Sequence, residues 1–264
     1  MPTAHVLKDA SYPEDGTPNR LKRLSYMLAV LDSLGYEYKT YGRELCDKER
    51  AFNLETQAGC SNGWQVDFAD RLDSKLKNCV EDGDIVVATE AWHTACFRGI
   101  LSMNRGLYHG CPVIELWIDY PHSFARYRVF TTRYAMYTTA AYEGRTDCQL
   151  SEWITAQPFF EVEAELANDD DGPCEFYEDP FSLEHVYRMC NGTAVCAPDW
   201  GAWAETIKHG VSGILYRSPA GRAKAKVQLK NLDRYEVAAW VGREFTLEHA
   251  FDQLFSYLQR VTNA

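Results

Sequence analysis

Residues 191–216, NGTAVCAPDWGAWAETIKHGVSGILY, constrain the fold of this chain more than any other stretch. The apolar run at residues 193–197 has the length of a buried parallel strand. A turn containing Gly201 breaks the run, helix-forming residues follow, and Gly210 provides a stop before a second apolar run at residues 211–216. This order predicts a βαβ unit, and therefore an α/β protein with parallel strands.

The turn of this unit is typical of an anion-binding site. In open α/β sheets, ligands bind at the carboxyl ends of the strands, where free backbone N–H groups and the helix dipole attract phosphates. Glu205 lies one turn into the predicted helix. We predict that its carboxylate faces a ligand hydroxyl.

The same segment resembles the donor-binding segment of retaining, nucleotide-sugar-dependent glycosyltransferases of the GT-B fold, the large family-four group. Some members carry a similar GTPV…DWGAFTETV.HGVTG pattern, which includes the glycines, Trp200 and Glu205. The resemblance implies an α/β fold of two Rossmann-like domains facing across a cleft, with a truncated C-terminal domain. We predict an acceptor domain at 1–145, a donor domain at 146–245, and a C-terminal helix at 246–264 that packs back across both.

Two N-terminal segments extend the resemblance. The predicted strand at 4–7, glycine-bearing loop and helix at 18–34 are similar to the first βα unit of the family, and this likeness nominates Asp15, Gly16 and Thr17. The string EAWHTA resembles HDWHTA of glycogen and starch synthase relatives. By that likeness His93 contacts the sugar near the reacting carbon, and Glu90 stands where the relatives carry His.

A third segment, EDPFSLEHVY, resembles the Glu-Pro-Phe-Gly opening of the family's donor site. Asp179 takes the place of the first family Glu, and Ser182 takes the place of Gly, with Leu183 beside it. Tyr187 stands where the second family Glu binds the nucleotide ribose. This departure leaves the identity of the donor, and activity itself, open.

Two cationic segments complete the candidate site. Residues 126–137 interleave arginines with aromatic residues, which suits an acceptor sugar or an unstacked base. Residues 217–230 are densely basic, which suits a diphosphate, an anionic acceptor or a nucleic-acid backbone. The alternative in both segments is a packed aromatic core with solvated cations.

The candidate residues are therefore these. The catalytic candidates are His93, Asp179 and Glu205. The donor-binding candidates are Gly16, Thr17, Ser182, Leu183, Tyr187, Trp200, Gly201, Ala202 and Arg217. The acceptor-binding candidates are Asp15, Glu90, Arg126 and Tyr127. The family needs no bound metal, and we predict neither a metal site nor a cofactor.

Composition limits the other classes of function. The net charge of −11 does not favour non-specific nucleic-acid binding, and no stretch has the ~20 apolar residues of a membrane span. No secretion signal is visible. The nine cysteines are dispersed without a CxxC pair, which predicts free thiols in a reducing compartment, the cytoplasm.

We therefore predict transfer of a sugar from a nucleotide diphosphate sugar to a hydroxyl acceptor, with retention. A glycan or lipid-linked glycan is the default acceptor that the resemblance implies. One alternative is a bacteriophage-type enzyme that glycosylates a hydroxymethylated DNA base. Another is a non-catalytic module that binds a nucleotide sugar or serves as a scaffold. The sequence does not decide the oligomeric state.

Overall fold

The computed structural model describes residues 1–7, 18–42, 45, 63–89, 107–108, 110–118, 125–145, 152–156, 174–175 and 184–263. A larger sheet is formed by β1 (Thr3–Leu7), β2 (Glu37–Tyr41), β3 (Ile85–Thr89), β4 (Leu107–Tyr108), β5 (Cys111–Ile118), β6 (Tyr127–Phe130) and β7 (Trp153–Thr155). Its strand order is β2-β1-β3-β5-β6-β7, all parallel, and β4 pairs antiparallel with β5. The predicted α/β class with parallel strands is confirmed.

The inner strands β1, β3 and β5 of the larger sheet are buried on both faces. Alternate residues of a strand point to opposite sides. Val6 and Val87 belong to a core on one side, whereas Leu7 and Val86 belong to a core on the other side together with Leu76. The helices α1 (Pro18–Ser33) and α2 (Gly63–Leu76) supply residues to these two cores, one on each side. Burial on both sides is what makes these strands read as continuous apolar runs.

The last helix, α8 (Leu247–Thr262), packs on the same side as α1. The hydroxyl of Thr246 accepts a hydrogen bond from the His249 N–H and caps the helix start. Leu254 and Leu258 lie on its buried face, whereas Leu247 is half exposed. Burying one such leucine contributes about 1.5–3 kcal/mol, so this face anchors the C-terminus of the chain to the larger sheet.

A smaller sheet is formed by β8 (Cys174–Glu175), β9 (Val195–Pro198) and β10 (Gly213–Tyr216), parallel and in the order β10-β9-β8. The surrounding helices are α4 (Glu184–Cys190), α5 (Gly201–Thr206), α6 (Pro219–Leu229) and α7 (Arg234–Glu244). The predicted βαβ unit is therefore β9-α5-β10. Its helix ends at Thr206, earlier than residue 209, because Ile207 turns to an extended backbone and buries its side chain in the core.

The boundary predicted at residue 145 falls inside the larger sheet. β7 pairs in parallel with β6 through Arg128 and Trp153, and it is the last strand on that edge among the described residues. The larger sheet therefore extends at least to Thr155. A third helix, α3 (Arg133–Tyr142), connects β6 to the segment before β7.

A buried polar network supports one end of the larger sheet. The ring nitrogens of His5 lie 2.9 Å from Tyr41 Oη and 3.0 Å from Asp84 Oδ2. Asp84 also accepts hydrogen bonds from the Thr3 and Glu81 N–H groups at 2.6 and 3.0 Å. Burial alone would raise the pKa of Asp84, but these hydrogen bonds outweigh it and hold the pKa below its usual value.

The described cysteines Cys79, Cys111, Cys190 and Cys196 are free thiols. Burial raises the pKa of Cys111 to about 11 and that of Cys190 to about 12, so both stay protonated and unreactive. Within the described part of the chain, no helix has the length and apolar character needed to cross a bilayer.

Replacing Gly213 by alanine tests the packing of the smaller sheet. A Cβ there would lie 2.4 Å from the Val195 carbonyl oxygen and 2.8 Å from Ile207 Cγ2. We expect Gly213→Ala to lower the free energy of unfolding by about 1–3 kcal/mol, because overpacking forces the backbone apart. Gly221→Ala in α6 is the control and should change stability less, because its Cβ would lie 3.2 Å from Ser218 Oγ, a side-chain hydroxyl that can shift, and 3.5 Å from Tyr216 Cβ. Equal urea midpoints for the two variants would contradict this packing.

Asp84→Asn tests the buried network. We expect a loss of about 1–3 kcal/mol near neutral pH, because a buried carboxylate with several donors is lost. The stability that Asp84 provides is complete above the unfolded-state pKa of about 4 and is lost as the pH falls through the lower folded-state pKa. Urea unfolding from pH 7 to 3 should therefore show a smaller acid-dependent loss in Asp84→Asn than in wild type. The exposed neighbour variant Asp82→Asn should behave like wild type.

Candidate functional site

A polar cavity of about 460 Å³ lies between the two sheets. One wall follows the carboxyl ends of β6 and β7, the opposite wall belongs to α5, and α8 closes a third side. The lining residues are Thr131, Thr132, Arg133, Thr155, Ala204, Glu205, His249 and Gln253. The cavity therefore occupies the carboxyl edge of a parallel sheet, where α/β proteins bind their ligands.

An irregularity in β5 fixes the first threonine of this wall. The register of β5 against β6 shifts between Glu115 and Ile118, and Trp117 there has a φ of 57°. This left-handed backbone costs a side-chain-bearing residue roughly 1–2 kcal/mol. The Ile118 carbonyl accepts hydrogen bonds from the Thr131 N–H at 3.0 Å and from its hydroxyl at 3.3 Å. The bulge thus holds Thr131 at the cavity, a common role of bulges beside functional sites.

The N-terminus of α3 forms the next part of the wall. Thr132 has an extended backbone, and its hydroxyl accepts a hydrogen bond from the Ala135 N–H at 3.1 Å. The N–H groups of the two residues before Ala135 donate to a side chain on the opposite wall of the cavity. Glu205 Oε2 accepts from the Arg133 N–H at 2.8 Å, and Oε1 accepts from the Tyr134 N–H at 2.6 Å. Both oxygens of Glu205 therefore bind protein backbone, although we predicted that they face a ligand hydroxyl.

Aromatic rings lie beside this contact. Trp200 packs edge-on against Tyr134 and Trp203, with centroid distances of 6.0 and 5.7 Å. Trp203 is completely buried, whereas Trp200 is half exposed. The predicted donor-binding residue Trp200 thus contacts the larger sheet's α3 and keeps ring surface available to a ligand.

The last helix brings two polar side chains to the cavity that the sequence analysis did not nominate. His249 and Gln253 stand one helical turn apart, and their Nε2 atoms are 2.9 Å apart. The threonines Thr131, Thr132 and Thr155 were also missed. The spacing of four between His249 and Gln253 on a predicted helix was the available signal. For Thr131 and Thr132 the signal was their position directly after a short strand, and Thr155 is itself the last residue of one.

Several donor-binding candidates lie at the carboxyl edge of the smaller sheet. Asp199 follows β9 directly and Arg217 follows β10 directly, and Arg217 Nε donates to Asp199 Oδ2. The Arg217 side chain is 87% exposed, so it is accessible to a ligand. Gly201 has a φ of 67°, which glycine adopts readily, and Ala202 is buried behind it. Tyr187 lies in α4 and packs against the core of the smaller unit.

The acceptor-binding candidates Arg126 and Tyr127 are not brought to the cavity. They stand at the amino end of β6, whereas the cavity lies beyond its carboxyl end. Arg126 Nε donates to Glu152 Oε1 at 2.6 Å, and its guanidinium lies over the Tyr127 ring. The structure therefore does not place these two predicted acceptor-binding residues at this cavity, because residue type does not tell which end of a strand a side chain occupies.

Arg128 is also not solvated, contrary to the alternative that we considered for this segment. Its side chain is buried, donates to Glu143 Oε1 at 2.7 Å and stacks over the Trp153 ring. Burial lowers the pKa of Arg128, while the neighbouring carboxylates Glu143 and Glu115 act to raise it. Arg128 is thus part of the interior of the larger sheet.

The remaining candidates, Asp15, Gly16, Thr17, Glu90, His93, Asp179, Ser182 and Leu183, lie outside the described residues. The described strands β1 and β3 end at Leu7 and Thr89, side by side at the carboxyl edge of the sheet. The strand order reverses there, since β2 lies on one side of β1 and β3 on the other. Such switch points are where open α/β sheets bind ligands.

The described part of the cavity suits an uncharged polar ligand. Threonine hydroxyls donate and accept hydrogen bonds, and a glutamine amide and an imidazole extend this capacity. Arg133 and Glu205 contribute opposite charges. Among the described residues, no group of three or more His, Cys, Asp or Glu side chains is placed to hold a metal ion.

No protein-family model and no curated protein matches the sequence. Solved structures of glycosyltransferases nevertheless share its fold. HepE from Anabaena in complex with UDP-glucose superimposes with a TM-score of 0.61 at 9% identity, over 98% of this chain and 99% of HepE. AviGT4, a glycosyltransferase of avilamycin A biosynthesis, gives 0.56 at 9% identity over 100% and 98%. A glycosyltransferase from Rickettsia africae gives 0.51 at 9% identity over 100% and 99%. The chain thus has, over nearly its whole length, the fold of these glycosyltransferases.

Proposed function

We propose that this chain is a glycosyltransferase that moves a sugar from a UDP-sugar to a hydroxyl group of an acceptor. The observation that carries the proposal is the polar cavity of about 460 Å³ at the carboxyl edge of the larger sheet, closed by the smaller unit. It is supported by the fold shared with HepE, whose structure contains UDP-glucose. Hydroxyl, amide and imidazole groups suit the hydroxyls of a sugar, because each can donate or accept.

The smaller unit is the proposed donor domain. Asp199 and Arg217 lie at the carboxyl ends of neighbouring parallel strands, and an exposed guanidinium can exchange a carboxylate for a diphosphate. As the bond to the sugar breaks, negative charge develops on the leaving diphosphate, and fixed cations and N–H donors stabilise it. In this proposal Arg217 supplies the cationic part of that stabilisation.

The finer features of the proposal follow the family resemblance. They are the GT-B arrangement, retention at the anomeric carbon, and a reaction without a bound metal or other cofactor. His93 would then line the reacting face, and Asp179 would lie near the sugar ring. We place the protein in the cytoplasm, which the free thiols of its described cysteines support.

A glycan or lipid-linked glycan is the acceptor that we favour. The alternative of a modified DNA base drew partly on Arg126 and Tyr127, and these stand at the far end of β6 from the cavity. Arg126 is moreover paired with Glu152. The net charge of −11 adds repulsion between this protein and a nucleic acid.

A second candidate function, nucleotide-sugar binding without turnover, is favoured by one observation. Tyr187 stands where the family carries its ribose-binding Glu, and its ring packs against the core of the smaller unit. Tyrosine has no carboxylate that could accept hydrogen bonds from the two ribose hydroxyls. Binding of UDP-glucose without release of UDP, in the presence of varied glycan acceptors, would support this alternative.

A thermal-shift and calorimetric screen of UDP, UDP-glucose and other nucleotide sugars tests the donor, and release of UDP tests turnover. A ligand present at 100 times its Kd should stabilise the native state by about 2.7 kcal/mol. Absence of any shift with all nucleotide sugars would overturn the proposal.

Ala204→Phe tests whether the cavity is the binding site. Ala204 is exposed and lines the cavity, so a phenyl ring there enters the space without disturbing a core. We expect a melting temperature within a few degrees of wild type, since surface substitutions change stability by about 0.5 kcal/mol or less. We expect the stabilisation by UDP-glucose to disappear. Ala220→Phe, at an exposed alanine of α6, is the matched control and should keep it; an unchanged response of Ala204→Phe would move the sugar site elsewhere.

Arg217→Ala tests the donor domain. The exposed pair with Asp199 contributes little to folding, so stability should change by less than about 1 kcal/mol. The affinity for UDP, measured by calorimetry, should fall about tenfold because a charge-assisted contact to phosphate is lost. Arg243→Ala, at an exposed arginine of α7, is the control. Equal UDP affinities in both variants would exclude Arg217 from the phosphate site.

A further inference from the structure

The side-chain carboxylate of Glu205 connects the two sheets, because it accepts hydrogen bonds from two backbone N–H groups. Its α5 belongs to the smaller unit, and the N–H groups of Arg133 and Tyr134 belong to the first turn of α3 in the larger one. The two hydrogen bonds are 2.8 and 2.6 Å long, one to each carboxylate oxygen. These partners are 72 and 71 residues apart in the chain.

The contact has a clear physical basis. The first N–H groups of a helix have no partner within the helix, and the helix dipole places partial positive charge there. A carboxylate that accepts two of these N–H groups forms charge-assisted bonds, the strong class of protein hydrogen bonds. α3 has ten residues, so the carboxylate interacts with the dipole of a complete helix.

The contact is also part of the cavity wall. Arg133 and Glu205 both line the cavity, and Trp200 packs against Tyr134 immediately beside it. A displacement of α5 away from α3 would therefore widen the cavity and move Ala204 and Glu205 away from Thr131 and Thr132.

We propose that Glu205 is a positioning residue, an interdomain latch whose carboxylate holds the N-terminus of α3 and thereby fixes the width of the cavity. The latch itself is a structural property, and its effect on sugar binding rests on the proposed function. This proposal predicts that binding of the nucleotide, which the smaller unit would provide, does not depend on the latch. Binding of the sugar, which needs both walls, depends on it.

One substitution removes a hydrogen-bond donor of this contact and leaves Glu205 unchanged. Arg133 is the first residue of α3, where proline is favoured because its missing N–H has no partner within the helix. The preceding Thr132 has φ −142° and ψ 156°, the extended conformation that a residue before proline requires. Arg133→Pro therefore deletes one latch hydrogen bond and keeps the helix. Arg133→Ala is the matched control, since it removes the same side chain and keeps the N–H.

The first measurement is the affinity for UDP and for UDP-glucose in both variants. We expect Arg133→Pro to bind UDP-glucose about tenfold more weakly than Arg133→Ala, and UDP equally well. Equal UDP-glucose affinities, or an equal loss for UDP, would overturn the latch as a determinant of the sugar site.

The second measurement does not depend on any ligand. We expect hydrogen exchange of the Tyr134 amide, measured by NMR, to be about tenfold faster in Glu205→Ala than in wild type. Glu205→Gln, which keeps one amide oxygen, should fall between them, and the exposed-site control Glu244→Gln should match wild type. Unchanged exchange in Glu205→Ala would overturn the latch. If wild type binds neither UDP nor UDP-glucose, the proposed function fails, and this exchange experiment still decides the latch.

Discussion

Parallel strands that are covered on both faces can meet a ligand only where they end. In this chain α1 and α8 cover one face of the larger sheet and α2 covers part of the other, so the inner strands β1, β3 and β5 are almost completely buried. What stays accessible is the carboxyl edge, and the cavity lies there beyond β6 and β7. α8 serves both purposes, because its apolar side fills the core while Gln253 reaches the cavity. The position of the site is thus a consequence of how the sheet is buried.

α3 is held by ionic groups at both ends, and this couples the two sheets. At its N-terminus Glu205 accepts from two N–H groups of the helix. At its C-terminus stands Glu143, whose negative charge opposes the helix dipole. Arg128 and Arg145 pair with that carboxylate at 2.7 and 3.1 Å and offset the repulsion. Because Arg128 belongs to β6, the helix is tied to its own sheet at one end and to the smaller unit at the other.

Local pattern was sufficient where burial produces a continuous apolar run. β1 and β9 were predicted for that reason, as was the βαβ unit. β7 was missed, because three residues carry too little pattern, and the domain boundary at residue 145 was predicted without that strand. Glu205 was identified as a site residue, but its partners are about seventy positions away, and no local pattern encodes such a contact. Arg126 stands at the amino end because β6 begins at Tyr127, and composition does not report where a strand begins.

The charges around the cavity indicate how a nucleotide sugar would lie in the proposed reaction. Glu205 places a carboxylate on the cavity wall and occupies the N–H groups that would otherwise attract an anion. A diphosphate placed against Glu205 would meet the negative charge of that carboxylate at short range. Arg217, at the carboxyl edge of the smaller sheet, offers the opposite charge and is exposed. In the proposed reaction, the phosphates would therefore lie with Arg217, and the uncharged sugar would lie among the threonine hydroxyls between the two sheets.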